Sequence, residues 1–276
     1  WKEAVVRWLA ETSEKVTHPE DRRKLRWLDP FLGSLMLDEV TLDVIDAIKA
    51  AKLKAACKPT VNRYLALVRA ILLRSRDDWD WIDKVPKVKL FKEGSGRERS
   101  ITVAQAETLV SELPAHQRDV VVFALATGLR QSNVLGLEWS HVDLAAGHAW
   151  VGAGRSKNGK PIAVPLNTTA LEVLRRQLGK HRERVFTYAG KPLGHANTRA
   201  WRKALKRAGI GNFRWHDLRH TWASWHRQSG TPTHELQRLG RRVLPGLVPA
   251  TANGALRLVG HLVVLAHHLV GGGRRR

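Results

Sequence analysis

From Trp1 to about Asp83 apolar residues recur every three or four positions, with charged residues between them and no sustained alternation of period two. A chain patterned this way buries its apolar side chains along one stripe of successive helices. The clearest stripe follows Lys58-Pro59-Thr60, where Val61, Leu65, Val68 and Leu72 line one face and Asn62, Arg63, Arg69 and Arg76 lie off it. That basic face is either solvated or turned towards a polyanion.

The helical pattern breaks at residues 84–99, where a proline, a Gly-Ser-Gly and many cations read as a basic linker. A second domain then starts sharply. Thr102 and Gln105 have capping-box spacing, with Ile101 and Ala106 as the flanking apolar pair. Helices continue to Thr127, and a short helical piece ends near Trp139. The pattern next changes to Val142-Asp143-Leu144, then to His148–Val151 and Pro161–Pro165, two short strands joined by residues 152–160. Helical spacing resumes from Thr169. The expected architecture is mainly α with a small antiparallel β-sheet, in two domains at 1–83 and 100–240.

The chain is 276 residues long, and 47 Lys and Arg against 25 Asp and Glu give a formal charge of +22, spread along most of it. The partner this implies is a polyanion, nucleic acid before an anionic membrane or ribosomal RNA, because neutralising phosphates releases counterions. A single cysteine, Cys57, placed in a Lys/Ala-rich helical stretch, excludes an internal disulfide and a thiolate zinc cluster. No signal peptide opens the chain, and the start at Trp1 implies residues missing before it. The most apolar stretch, Leu256 to Val270, is short for a bilayer and is interrupted by His261, His267 and His268. A soluble, cytoplasmic and nucleoid-associated protein, with no membrane partner, is the expectation.

Three segments offer chemistry towards a phosphate. In Thr127-Gly128-Leu129-Arg130-Gln131-Ser132-Asn133, Gly128 ends one helix, Ser132 or Asn133 can cap the next, and Arg130 lies at the break. In Arg155-Ser156-Lys157-Asn158-Gly159-Lys160, lysines sit at a hairpin tip able to swing over a bound backbone. In Trp215–Trp225, Trp215, Leu218, Trp222 and Trp225 form an apolar seam beside which His216 and Arg219 project from neighbouring turns. A proton donor beside a phosphate-binding cation is what phosphoryl transfer requires. His216 and His220 also have the spacing of a metal pair, but the arginine between them and the lack of a nearby Glu pattern argue against a metal.

Taken together, Ala126–Arg130 followed by Leu137-Glu138-Trp139, the lysine-bearing hairpin before Val164-Pro165-Leu166, and His216-Asp217-Leu218-Arg219-His220-Thr221 resemble, in order and separation, the catalytic domain of tyrosine recombinases and phage integrases. The resemblance runs from about residue 99 to Gly240, and the preceding helical segment resembles the family's core-binding domain. It implies DNA breaking and rejoining by phosphoryl transfer on double-stranded DNA, with no cofactor and no metal, by a homo-oligomer that is a tetramer on DNA. By matching position, Arg130 and Arg219 hold the non-bridging oxygens, Lys157 protonates the leaving 5′-oxygen with Lys160 as second choice, and His216 is the acid/base partner. Arg63, Lys87, Lys89, Lys92, Arg97, Arg99 and Lys160 are the expected DNA contacts.

The family pattern places a His or Trp after a segment like Glu235–Gly240, and the nucleophilic tyrosine about nine residues later. Arg241 and Arg242 stand there instead, and the only tyrosines are Tyr64 and Tyr188, both upstream of His216. From Arg241 to Arg276 the chain has no Asp, Glu or Lys. A change of reading frame near codon 240 is one expectation, an inactive paralogue the other. Either implies DNA binding without cleavage, so a non-catalytic DNA-binding factor derived from an integrase stands beside the recombinase; an RNA-binding protein would explain the charge but not the paired arginine boxes.

Overall fold

The computed structural model describes residues 1–94, 99–152 and 161–236. The chain divides into two compact units, Trp1–Gly96 and Arg97–Arg276. Among the described residues no helix is long and apolar enough to cross a membrane.

The first unit is helical: α1 (Lys2–Glu11), α2 (His18–Leu32), α3 (Leu42–Leu53) and α4 (Lys58–Asp77). Pro19 and Pro59 occupy the first turns of α2 and α4, where a missing N–H costs nothing. On α4 the expected stripe of Val61, Leu65, Val68 and Leu72 is fully buried, joined by Ile71. Two expectations change. Cys57 is exposed at the junction of α3 and α4, not within a helix. Asn62 does not belong to the solvated face: it is buried, its Nδ2 donates to the Phe91 carbonyl at 2.9 Å, and its Oδ1 accepts from the Phe91 N–H at 2.8 Å.

That pair of bonds fixes the start of the supposed linker to the helical unit. Residues 84–94 lie along it with Val88 buried while Lys87, Lys89 and Lys92 are exposed, so the apolar residue between the cations serves as the anchor.

The second unit begins with α5 (Val103–Glu112), opened by the capping box of Thr102 and Gln105, both of whose bonds are present. Next comes α6 (Ala115–Thr127), in which every residue from Val120 to Thr127 is buried. A helix apolar all round must be enclosed, and α6 packs against both α8 (Thr168–Gln177) and α10 (Asp217–Gln228). Between α6 and α8 lie α7 (Gln131–Leu135), a 3-10 turn at Trp139–His141, and strands β1 (Val142–Asp143), β2 (His148–Val151) and β3 (Ile162–Pro165). The strands form one antiparallel sheet in the order β1-β2-β3, with Ala149 opposite Val164 and Trp150 opposite Ala163. Ala149, Val151 and Val164 face the core and Trp150 faces out, the one-sided burial of a surface sheet.

Helix α8 starts at Thr168 because the Asn167 side chain accepts from the Ala170 N–H. A second ribbon, β4 (Thr187–Tyr188) with β5 (Lys191–Pro192), was not expected from the pattern. Its turn, Ala189 and Gly190, has two consecutive positive φ values, which tightly connects antiparallel strands. Helix α9 (Arg199–Arg207) precedes α10.

Candidate active site and nucleic-acid interface

The core positions two boxes against each other. Helix α6 stops at Gly128, whose φ of 63° is the left-handed cap that glycine adopts at little cost, and its N–H bonds the Ala124 carbonyl. The chain then extends through Arg130 and turns into α7. The Asn133 and Val134 N–H groups bond the Arg130 carbonyl at 2.9 and 3.0 Å, so Arg130 itself is the cap residue of α7. Ser132 and Asn133 lie within the first turn of the helix, past its cap, which corrects the capping role expected of them.

Helix α10 follows His216. The Asp217 carboxylate accepts the Arg214 N–H at 2.7 Å, closing the turn that presents His216. Trp215, Leu218, Trp222 and Trp225 are buried as the expected seam, and the Trp225 indole N–H reaches the Ile101 carbonyl at 3.0 Å. With the seam inward, His216 is exposed and Arg219 half-buried. The Arg219 guanidinium donates to the carbonyl of Gly128, joining positions 91 residues apart. The ring of Trp222 lies against Gly128: a Cβ there would meet it at 2.4 Å.

Arg130, His216 and Arg219 are thus brought together, and they feel one another. Although its surface is largely open, partial desolvation by the groups around it pushes the His216 imidazole below its usual pKa; neighbouring His220, Arg219 and Arg130 lower it further, against Asp217. Arg219 is also lowered, by burial first and then by Arg130. The His216 and His220 rings meet edge to face at 5.1 Å. Two guanidinium groups and an imidazole on one locus have the chemistry to attract an anion, and a neutral imidazole can take a proton. Among the described residues no group of three or more His, Cys, Asp or Glu is arranged to hold a metal ion.

Lys157, Lys160 and Arg97 fall outside the described residues. In the first unit Arg63 is exposed on α4 and donates to the Pro59 carbonyl at 3.0 Å, while Lys87, Lys89 and Lys92 are exposed. In the second, Arg99 donates to the Gly211 carbonyl at 3.4 Å. Sequence reasoning missed α9, where Trp201, Ala204 and Leu205 are buried and Arg199, Arg202, Lys203 and Lys206 are exposed. The signal was present as a short amphipathic stretch with five cations, capped by Thr198. Arg202, Lys206 and Arg214 border a hollow of about 500 Å³ beside it.

Both tyrosines have structural neighbours elsewhere. Tyr64 is buried in the first unit, edge-on to Trp27 at 5.2 Å and beneath the Lys52 ammonium at 4.0 Å. Tyr188 is exposed on β4 and stacks on His116 at 4.0 Å.

Burial also lowers His116 and His226; the latter is almost fully enclosed, with the Trp222 ring at 4.7 Å. A histidine whose folded pKa lies below its unfolded value of about 6.5 makes the unfolded state the better proton acceptor as pH falls. Stability is therefore full above about pH 6.5 and declines below it. We expect the melting temperature to drop between pH 7.5 and 5.5 and the drop to shrink in His226→Gln; a pH-independent melting temperature in circular dichroism would contradict this.

The sequence pattern of the phage integrase family matches residues 99–241. The chain is 36% identical to the integrase of Salmonella phage P22 over 278 residues, covering 86% of this chain and 72% of that protein. It is 32% identical over 168 residues to a shufflon-specific DNA recombinase of Escherichia coli, covering 58% of this chain and 42% of that protein. Among solved structures, a lambda integrase (75-356) dimer bound to a COC′ core site superposes with a TM-score of 0.71 at 18% identity, over 90% of this chain and 98% of that one. The Tn1549 transposon integrase in complex with a circular intermediate DNA has the same TM-score at 19% identity, over 83% and 88%. The mainly helical fold with its small antiparallel sheet is thus that of these proteins, and the chain belongs to the phage integrase family.

Proposed function

We propose that this protein is a site-specific recombinase by lineage that grips duplex DNA and holds one backbone phosphate between Arg130 and Arg219. The observation that carries the reading is the convergence of these two arginines and His216 from boxes far apart in sequence, locked by the Arg219 bond to the Gly128 carbonyl. The shufflon-specific DNA recombinase among the relatives and the DNA-bound integrases among the structural neighbours support it.

Cleavage in this geometry forms a bond from a nucleophilic hydroxyl to phosphorus and breaks the bond to the 5′-oxygen. Arg130 and Arg219 would neutralise the non-bridging oxygens of the crowded intermediate, and a neutral His216 would accept the nucleophile's proton. Lys157 would return a proton to the 5′-oxygen, with Lys160 second. Arg63, Lys87, Lys89, Lys92, Arg97, Arg99 and the α9 cations would follow the backbone on either side. Residues 1–83 would serve as a core-binding domain, 84–99 as a basic link and 100–240 as the catalytic domain, acting as a homo-oligomer on DNA, as lambda integrase does in its tetramer on a Holliday junction.

The sequence has two tyrosines, Tyr64 and Tyr188, each with the neighbours given above; among the described residues neither joins Arg130, His216 and Arg219, so on this reading the chain binds DNA without forming a covalent phosphotyrosine. Its role is then that of a non-catalytic factor occupying recombination sites. The test is a nicked duplex carrying the host attachment site, run on denaturing and native gels. Salt-sensitive binding, with log affinity falling steeply against log salt, and no covalent band are expected. A covalent band that disappears in Arg219→Ala would restore full recombinase activity and sink the inactivity reading.

A further inference from the structure

Gly128 is held by two side chains one turn apart on α10. Arg219 donates to its carbonyl, and the ring of Trp222 lies so close to its Cα that a methyl there would overlap Cδ2 and Cε3. The two contacts depend on each other. The N–H of Gly128 bonds the Ala124 carbonyl at 2.9 Å, which fixes the peptide before it. The peptide after it carries the carbonyl that receives Arg219, and the other end of that peptide, the Leu129 N–H, has a long bond of 3.5 Å to Thr127 Oγ1. A glycine turns its following peptide at little cost, because no Cβ limits it. A large ring packed against the Cα supplies the limit that the missing side chain does not.

Trp222 is held in turn. It is buried, and its ring centroid lies 4.7 Å from that of His226, one turn further along α10. His226 is buried as well. Its Nδ1 lies 3.2 Å from Thr231 Oγ1, and the Thr231 N–H bonds the His226 carbonyl at 3.0 Å, so the corner that ends α10 fixes this second ring. A line of contacts therefore runs from Thr231 through His226, Trp222 and Gly128 to Arg219. Neither Trp222 nor His226 takes part in the chemistry proposed for the locus, and the charged neighbours that act on the His216 imidazole are His220, Arg219, Arg130 and Asp217.

We propose that Trp222 is a positioning residue of the phosphate locus, its ring fixing the Gly128 carbonyl and through it the Arg219 guanidinium, with His226 fixing the ring. The inference deepens the reading of Arg130 and Arg219 as phosphate ligands and rests on that reading for its purpose. The placement of Arg219 can nevertheless be read with no phosphate present, because Arg219 lowers the pKa of His216.

The test follows the His216 ring signal of the full chain by NMR through a pH titration, the signal being assigned by its loss in His216→Gln, and then adds inorganic phosphate. Arg219→Met, which removes the charge and keeps much of the length, sets the scale: with one positive neighbour gone, the His216 midpoint moves up towards about 6.5. Trp222→Leu is expected to move the midpoint in the same direction and to weaken phosphate binding by up to about tenfold, the contribution of one charge-assisted hydrogen bond. Trp222→Phe, which keeps a ring, should stay near the parent in both. His226→Ala leaves Trp222 in place, and His226 is not among the charges that act on His216; it should move both readouts the same way by less, and it decides the matter if Trp222→Leu does not fold. Leu109→Ala, a truncation of the same core on α5, accounts for lost stability and should move neither. A His216 midpoint unchanged in Trp222→Leu, or in His226→Ala where the former does not fold, overturns the proposal, as does an equal shift in Leu109→Ala. Shifted midpoints in variants of a parent that binds no phosphate would uphold the positioning and sink the phosphate reading alone.

Discussion

Replacing Gly128 by alanine is expected to destabilise the second unit by about 3 kcal/mol and to weaken DNA binding more than that loss of folded protein explains. Two costs act at once. Gly128 has φ 63°, a conformation that charges an L-residue roughly 1–2 kcal/mol. The new methyl would also stand 2.4 Å from Cδ2 and 2.5 Å from Cε3 of Trp222, and displacing a buried ring in a packed core costs about 1–3 kcal/mol. At roughly 2–4 °C per kcal/mol for a unit of this size, the melting temperature should fall by about 6–12 °C. Gly209→Ala isolates the backbone cost, because Gly209 has φ 67° with nothing within 4 Å of a Cβ; it should lose only that share, roughly 1–2 kcal/mol. Trp222→Leu combined with Gly128→Ala should then show less than additive loss, the signature of a direct clash. The effect on binding follows from the carbonyl of Gly128, which holds the Arg219 guanidinium. If Gly128→Ala and Gly209→Ala melt alike, the steric half of this argument is wrong.

The same contact shows what the sequence could and could not disclose. Periodic and short-range signals were legible: the stripe of α4, the reciprocal bonds of Thr102 and Gln105, and the seam of Trp215, Leu218, Trp222 and Trp225 each depend on residues within a few turns of one another. The arginine boxes could be read as candidate chemistry because the two stand together, in the order and separation of the family they resemble, where either alone would be a weaker signal. What spacing could not give is which distant groups meet. Asn62 reads as one more polar residue on α4 until Phe91, 29 residues on, is seen to use both ends of its amide. The Val88 anchor likewise turned part of an apparent linker into a packed edge of the helical unit. Ser132 and Asn133 looked like caps because they are good capping residues, but the carbonyl of Arg130 had already started α7. The β4–β5 ribbon is two residues per strand, too short for alternation to register. The exposed cationic face of helix α9 was overlooked because its charge was read as part of the general excess, whereas its buried Trp201, Ala204 and Leu205 sort its cations onto the outside.

Arg130→Ala is expected to leave the unliganded protein as stable as before, or about 0.5 kcal/mol more stable, while lowering DNA affinity by at least about tenfold. Like charges close together cost a few tenths of a kcal/mol even on a wet helix surface, and here Arg130 lowers both Arg219 and His216. The locus is therefore electrostatically strained when empty. A phosphate converts that strain into attraction, and charge-assisted hydrogen bonds contribute about 1.5–3 kcal/mol each, which is a factor of ten or more in affinity. The anion's own charge raises the pKa of His216 back towards its usual value, so binding takes up protons and tightens as pH falls through the region near 6.5. Inorganic phosphate supplies the direct check. It should raise the melting temperature of the parent protein in proportion to its occupancy, raise that of Arg130→Ala much less, and leave the Lys87, Lys89 and Lys92 triple alanine variant as responsive as the parent, because those cations lie in the other unit and were never gathered on one locus. A triple variant that lost the phosphate response while Arg130→Ala kept it would move the anion site from the paired boxes to the basic edge of the helical unit, and the recombinase reading of Arg130 and Arg219 would go with it.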